Sequence, residues 1–261
     1  MRPISLAAGV MPEFAPDVTA TAAAAAGFDM SGVWVDLEQW SPALMTAVRR
    51  TLAGLPVLDV EYIRIGPGPL GDDPRKVIEI GGELGAGNVL VISVDPDHGA
   101  TAAKLAEIAE IADAHGMRAA FEFGIFTTVR TLDAALAIVE AATHPAVSLL
   151  LDPIHLDRAG VAPADLTIIP PERLSYAQFC DARADRPDPA DTAMVLRDAL
   201  DLRELPGAGA LPLTDFLAAL PPGLPLSVEL RSAALRAAFP DPVERAAAVA
   251  GATRSWLARA R

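Results

Sequence analysis

The chain has 261 residues, 52% of them hydrophobic and 21% charged, with a formal net charge of -13 at pH 7. That length and apolar content can bury a large core, whereas the acid excess excludes the basic patch that a nucleic acid or an anionic membrane face calls for. A single cysteine, Cys180, excludes an internal disulfide framework and fits a reducing, cytoplasmic setting, so a small-molecule substrate is the expected partner, with no nucleic acid, no membrane and a homo-oligomer left open.

Arg2 and the run Ile4 to Val10 faintly imitate a signal peptide, but Pro3, Glu13 and Asp17 fit one poorly, and export is not expected. No uninterrupted apolar stretch is long enough for a transmembrane helix. Ser5 to Met11 reads as the first strand, followed by an alanine-rich helix from Ala15 to Ala26 that stops at Gly27. Met30 to Leu37 is the second strand, and Ser41-Pro42 opens a helix through Leu52 because serine caps and proline suits the first turn. Val57 to Ile65 is the third strand. Asp72-Asp73-Pro74 then starts a helix with acids where the dipole favours them, and Gly85 and Gly87 end it. Val89 to Val94 is the fourth strand, and Thr101 to His115 carries a helical stripe of Leu105, Ile108 and Ile111 stopped by Gly116. Met117 to Phe123, Val147 to Leu151, Leu174 to Phe179 and Pro225 to Leu230 supply strands five to eight, with helices at Thr131 to Ala142, Leu213 to Leu220 and Pro242 to Ala260. Arg183 to Ala210, rich in aspartate and proline, reads as a long active-site loop with a short helix inside.

Eight apolar strands alternating with helices predict an α/β chain, a parallel sheet covered by helices, and eight units predict a closed (β/α)8 TIM barrel. No Ser/Gly linker or charge block divides the chain, so residues 1–261 are expected to form one domain. A doubly wound open sheet is the runner-up, but no Gly-x-Gly-x-x-Gly follows the first strand.

Four of these runs close on an oxygen-bearing side chain: Glu122, Asp152, Gln178 and Glu229. A carboxylate in an apolar run is costly unless something positive or hydrogen-bonding receives it, and four such groups around one cation would answer one another's cost. Each also has a plainer reading. Glu122 alone suits a solvated strand end, Asp152 a turn cap before Pro153, and Gln178 an amide that only hydrogen-bonds. His155 alone suits a satisfied loop histidine. Asp36, Glu38, Glu61 and Arg64 read first as a solvated rim or internal ion pair, with Arg64 also a candidate anion contact. His98, His115 and His144 carry no expected chemistry, and Cys180 reads as packing.

The second half of the chain resembles the sugar-phosphate isomerase/epimerase superfamily of xylose isomerase-like TIM barrels. The resemblance rests on Gly116-Met117-Arg118-Ala119-Ala120-Phe121-Glu122, Leu151-Asp152-Pro153-Ile154-His155, Gln178-Phe179-Cys180-Asp181-Ala182, Arg203-Glu204-Leu205-Pro206-Gly207-Ala208-Gly209 and Ser227-Val228-Glu229. It implies a divalent metal on Glu122, Asp152, Gln178 and Glu229. Where the family often has histidine this chain has Gln178, as certain dehydratases do, and an all-oxygen set leans toward Mn²⁺ or Mg²⁺. His155 would contact a substrate oxygen, and Arg203 a substrate carboxylate or phosphate, with Arg64 a further anion contact. The family's Pro-Gly-Glu-Gly has become Pro-Gly-Ala-Gly at Ala208, which leaves the loop's role open.

The resemblance further implies an isomerase or epimerase of a small polyhydroxylated ketone or keto acid. Glu122 and Glu229 would exchange a proton alpha to the carbonyl through an enediolate. A dehydratase of the 3-dehydroshikimate type is the nearest rival, and a non-catalytic degenerate barrel the alternative outside enzymes. A DNA-cutting three-metal site is not expected from four histidines and this charge. The whole reading requires one cation to gather these oxygens; should they point apart, or a salt bridge to lysine or arginine fill that space, the enzymatic reading collapses and only the scaffold survives.

Overall fold

A computed structural model describes residues 2–260. Its strands are β1 (Ile4–Leu6), β2 (Met30–Trp34), β3 (Val57–Ile65), β4 (Asn88–Ser93), β5 (Arg118–Glu122), β6 (Val147–Leu150), β7 (Ala177–Phe179) and β8 (Leu226–Val228). All eight pair in parallel in one sheet of order β6-β5-β4-β3-β2-β1-β8-β7. The remaining seam, between β6 and β7, closes through the bridge Leu151 to Ala177 and the bond from the Gln178 amide to the Leu151 carbonyl (2.9 Å). The result is the expected (β/α)8 barrel, nearly closed. Helices α1 (Pro16–Ala25), α2 (Pro42–Leu52), α3 (Asp73–Leu84), α4 (His98–Ala114), α5 (Leu132–Ala141), α6 (Pro153–Arg158), α7 (Thr192–Asp201), α8 (Leu213–Ala219), α9 (Ala233–Ala238) and α10 (Pro242–Arg259) lie between and after the strands. No described helix is long and apolar enough to cross a membrane.

Strand side chains alternate between the helix layer and the barrel axis. Ala119, Phe121, Leu149 and Leu151 join the large core under the helices, while Leu58, Leu90, Ala120, Leu150 and Tyr176 form a separate cluster inside the barrel. This alternation places the site. Glu122, Asp152 and Gln178 each lie two residues beyond an axis-facing residue, Ala120, Leu150 and Tyr176, and so stand at the C-terminal ends of the strands, where barrels carry their chemistry.

Caps set the helix starts: Ser41, Asp97, Thr131, Asp191, Ser232 and Asp241 each accept a backbone N–H from the first turn of the helix that follows, contributing about 1 kcal/mol apiece. Several strands are shorter than their apolar runs. β1 ends at Leu6 because Ala8–Val10 turn into a 3-10 helix; β2 ends at Trp34, and β7 starts only at Ala177. Hydrophobicity continues where pairing stops, since loop residues also pack on the core. Two short helices, α6 and α9, were not expected: Asp152 caps a helix where a turn was read.

Candidate functional site

At the mouth, Glu122 (5% exposed), Asp152 (1%), Gln178 (1%), His155 (4%), Arg203 (3%) and Glu229 (6%) are all buried. β5 delivers Glu122, the β6 to α6 corner delivers Asp152 and His155, β7 delivers Gln178, and Glu229 follows β8, its amide bonded to the Phe179 carbonyl at 3.2 Å. Glu122, Asp152 and His155 offer ligand atoms within 4.8 Å of one another.

Arg203 stands among them. Its Nη1 is 2.5 Å from Asp152 Oδ2 and its Nη2 is 3.0 Å from Glu229 Oε2. The Nε donates to the Ala199 carbonyl at 2.8 Å, and Nη2 lies 3.3 Å from His155 Nε2. A guanidinium only donates, so that histidine nitrogen accepts and the ring proton sits on Nδ1. Burial, then the charge of Arg203, pulls the His155 pKa down to about 3, so the imidazole is neutral at pH 7. Its ring lies 4.4 Å from that of Phe126. Asp152 and Glu229 hold the Arg203 guanidinium in its charged form against the cost of burial.

This salt bridge is the arrangement expected to overturn the cation site, and it fills that space at two of the four groups, Asp152 and Glu229. It does not reach the other two. Glu122 Oε1 and Gln178 Oε1 are buried without a hydrogen-bond partner, a cost of about 1–3 kcal/mol each. Burial, reinforced by Glu229 and Asp152, pushes the Glu122 carboxyl well above its ordinary range. Orphaned hard oxygens beside a carboxylate and an imidazole suit a divalent cation, so Glu122, Asp152 and His155 fit a metal, while Glu229 lies outside that group and is paired with Arg203.

Sequence reasoning underread β3. Glu61 is not a rim acid and does not pair with Arg64. It is 3% exposed, lines the cavity and accepts the Ala8 amide at 3.1 Å. Asp59 is fully buried, receives the Tyr176 hydroxyl at 3.4 Å and is raised to about 7, first by burial and then by Glu229. Arg64 is exposed at the edge of the same cavity. Arg231, two residues beyond Glu229, was not singled out either; its signal was the alternation Ser227, Glu229, Arg231 against Val228 and Leu230. Asp36 folds onto its own turn, bonding Gln39 at 2.6 Å. Cys180 is buried against Asp152 and Arg203.

The Pro-Gly-Ala-Gly loop has a structural role. Asp181 receives the amides of Ala182, Gly207 and Leu211 at 2.9, 2.8 and 3.0 Å, and pairs with Glu204 as a short antiparallel bridge. A Cβ at Gly209 would strike the Ala182 carbonyl. The turn thus holds the backbone from which Arg203 enters the mouth. Gly9 has a comparable place: a Cβ there would lie 2.8 Å from Glu229 Oε1 and 3.3 Å from Arg231 Cδ.

The family model for xylose isomerase-like TIM barrels matches residues 20–259, and the chain belongs to that family. No curated protein matches it. Among solved structures it is similar to a xylose isomerase-like TIM barrel/4-hydroxyphenylpyruvate dioxygenase fusion protein, at 25% identity and TM-score 0.80 over 96% of this chain. The chain spans 42% of that fusion protein's length. It is also similar to an IolI protein with a bound zinc atom (17% identity, TM-score 0.83, 99% of both chains). A third likeness is to a probable 3-DHS dehydratase, AsbF, from Bacillus anthracis (12% identity, TM-score 0.75, covering 97% of this chain and 99% of that one).

Proposed function

We propose that this chain is a divalent-metal-dependent isomerase or epimerase of a small polyhydroxylated ketone or keto acid. The observation that carries the reading is the pair of buried, partnerless oxygens, Glu122 Oε1 and Gln178 Oε1, beside Asp152 and His155 at the barrel mouth. Glu122, Asp152, Gln178 and Glu229 would hold the metal; the oxygen donors favour Mn²⁺ or Mg²⁺, and His155 within the same group admits Zn²⁺. When bound, the ion would polarise a substrate carbonyl and stabilise negative charge developing on it.

The chain's own residues do the rest. Glu122 and Glu229 come from β5 and from beyond β8, so two carboxyl groups approach a substrate from different sides; one takes the proton alpha to the carbonyl and the other returns it. His155 is neutral, so it orients an oxygen by hydrogen bonding and adds no charge. Arg203, anchored by the Ala199 carbonyl, holds the Asp152 and Glu229 carboxyl groups in place through contacts of 2.5 and 3.0 Å. Elimination of a beta hydroxyl is the second reading. Gln178 supports it to the extent that the resemblance implies glutamine at this place in certain dehydratases, and it uses the same two acids.

The test is metal binding and turnover together. Purified protein supplemented with Mn²⁺, Mg²⁺ or Zn²⁺ should bind one equivalent. Glu229→Gln should fold and lose turnover of any substrate found by screening ketoses and keto acids. No stoichiometric metal, or full activity in that variant, removes the proposal; loss of water from the product selects the dehydratase.

A further inference from the structure

At the end of the barrel opposite the acids, two arginines stand side by side. Arg118 opens β5, the strand that Glu122 closes, and Arg173 precedes β7. Both are half-buried. Arg118 Nη2 donates to the carbonyls of Glu172 at 2.8 Å, Val147 at 3.1 Å and Pro145 at 3.5 Å, and Arg173 Nη1 donates to those of His144 at 3.3 Å and, again, Val147 at 3.5 Å. One oxygen therefore receives both guanidinium groups. Like charges this close repel, and burial, then the charge of Arg173, lowers the pKa of Arg118.

Carbonyl dipoles satisfy donors but carry no net charge, and among the described residues neither arginine makes an ion pair. Arg158 and Arg186 show how this chain uses a guanidinium where a carboxylate is present. Each turns its Nε and Nη2 edge to one acid, Arg158 to Asp198 at 2.9 and 3.3 Å and Arg186 to Asp157 at 2.9 and 2.8 Å. The same edge of Arg173 makes no hydrogen bond among the described residues, nor do Nε and Nη1 of Arg118, and all four nitrogens reach the surface. In a chain of net charge -13, a pair of cations that no acid answers, with donors to spare, is costly unless an anion from outside completes it.

We propose that Arg118 and Arg173 form a site for a doubly charged oxyanion of the phosphate type, either the free ion or the phosphoryl group of a small metabolite. A dianion matches two guanidinium charges, and its oxygens suit the open Arg173 edge and Arg118 Nη1 together. The site is remote from the proposed chemistry. Barrels hold substrate phosphates at the C-terminal ends of their strands, whereas Arg118 and the Val147 carbonyl lie at the N-terminal ends of β5 and β6. Because Arg118 comes from β5, Val147 from β6 and Arg173 from the approach to β7, an anion seated here draws three successive strands together and joins the two sides of the seam between β6 and β7. It needs no metal at the mouth.

The experiment is a calorimetric titration of the full chain, in chelator, with sodium phosphate against sodium chloride of equal ionic strength, repeated with glycerol 3-phosphate. Phosphate should bind saturably, one ion per chain, with a dissociation constant on the order of 1 mM; chloride should not. Arg173→Gln should weaken phosphate at least roughly tenfold, while Arg64→Gln, at the mouth, leaves it unchanged. Arg118→Lys, which keeps the charge and loses the fork, should weaken it about threefold and serves as the second variant if Arg173→Gln does not fold. Glycerol 3-phosphate binding within about threefold of phosphate assigns the site to a metabolite's phosphoryl group, and its exclusion assigns the site to the free ion. No saturable phosphate binding, binding lost in Arg64→Gln and intact in Arg173→Gln, or equal affinity in the parent and both site variants overturns the anion site and leaves the two arginines as ties to backbone carbonyls.

Discussion

The two arcs of this barrel mouth bury acids by different means. On the arc from β6 to β8, Asp152 and Glu229 share the guanidinium of Arg203 at 2.5 and 3.0 Å. On the arc from β3 to β5, Asp59, Glu61 and Glu122 have no ion pair among the described residues, and burial raises all three. A buried carboxylate can be answered by a fixed cation or by a retained proton. Only the second answer leaves room for an incoming ion, which makes the β3 to β5 arc, through Glu122, the adaptable half of the site.

The largest effect should come from removing the fixed cation. Arg203→Met leaves Asp152 and Glu229 buried without a cation and should cost the metal-free protein about 3–5 kcal/mol in urea unfolding. Added Mn²⁺ should restore part of it. A loss under about 1 kcal/mol would mean that the guanidinium does not set the charge of that arc. Next comes the support beneath it: Asp181→Ala strips the amides of Ala182, Gly207 and Leu211 of their acceptor and should cost about 2–3 kcal/mol. Unchanged stability there would remove the loop's anchoring role.

The adaptable arc should show the opposite sign. Asp59, at about 7 when folded against 3.8 ordinarily, keeps a proton that the unfolded chain has already released. Its contribution to stability is therefore present at low pH, declines as pH rises from about 4 to about 7, and stays absent above. Asp59→Asn should flatten that decline and, in chelator above pH 7, stabilise the protein by on the order of 2 kcal/mol. The same difference between variant and parent at pH 5 and pH 8 would show that Asp59 is not the titrating group. The smallest effect on folding belongs to Gly9→Ala. The new methyl meets only the tip of the Glu229 side chain, which Arg203 holds at 3.0 Å, so stability should fall by about 1 kcal/mol, while metal affinity falls roughly tenfold as the carboxylate is displaced. Unaltered metal affinity would place Glu229 outside the ligand set.

Much of the frame was legible because strand periodicity and helix caps are local. Val57–Ile65 and Pro42–Leu52 fall where alternation, Ser41 and Pro42 put them, and the parallel barrel follows from eight such units. Strand ends were overread at Gly9 to Met11 and Leu174 to Tyr176, since burial continues past the ladder there. In the site, Glu122, Asp152, Gln178 and Glu229 were visible as polar residues closing apolar runs, and His155 only through the family resemblance. The position of Arg203 was not, because it depends on a bridge between Asp181 and Glu204 far apart in sequence. Asp59, Glu61 and Arg231 each carried the signal of alternation, but a charge on a strand reads first as a solvated one.

The seam between β6 and β7 has a mechanical corollary. Beyond the two arginines at its base, one bridge, the Gln178 amide bond and the Ser148–Ser175 hydroxyl pair at 2.9 Å span it, and Asp152 stands on one side with Gln178 on the other, so breathing of the barrel wall at this joint changes the spacing of two donors at once. An ion gripping both would act as a rivet across the joint, and amide exchange at Gln178 would slow as it seats, reporting occupancy from the backbone without any substrate.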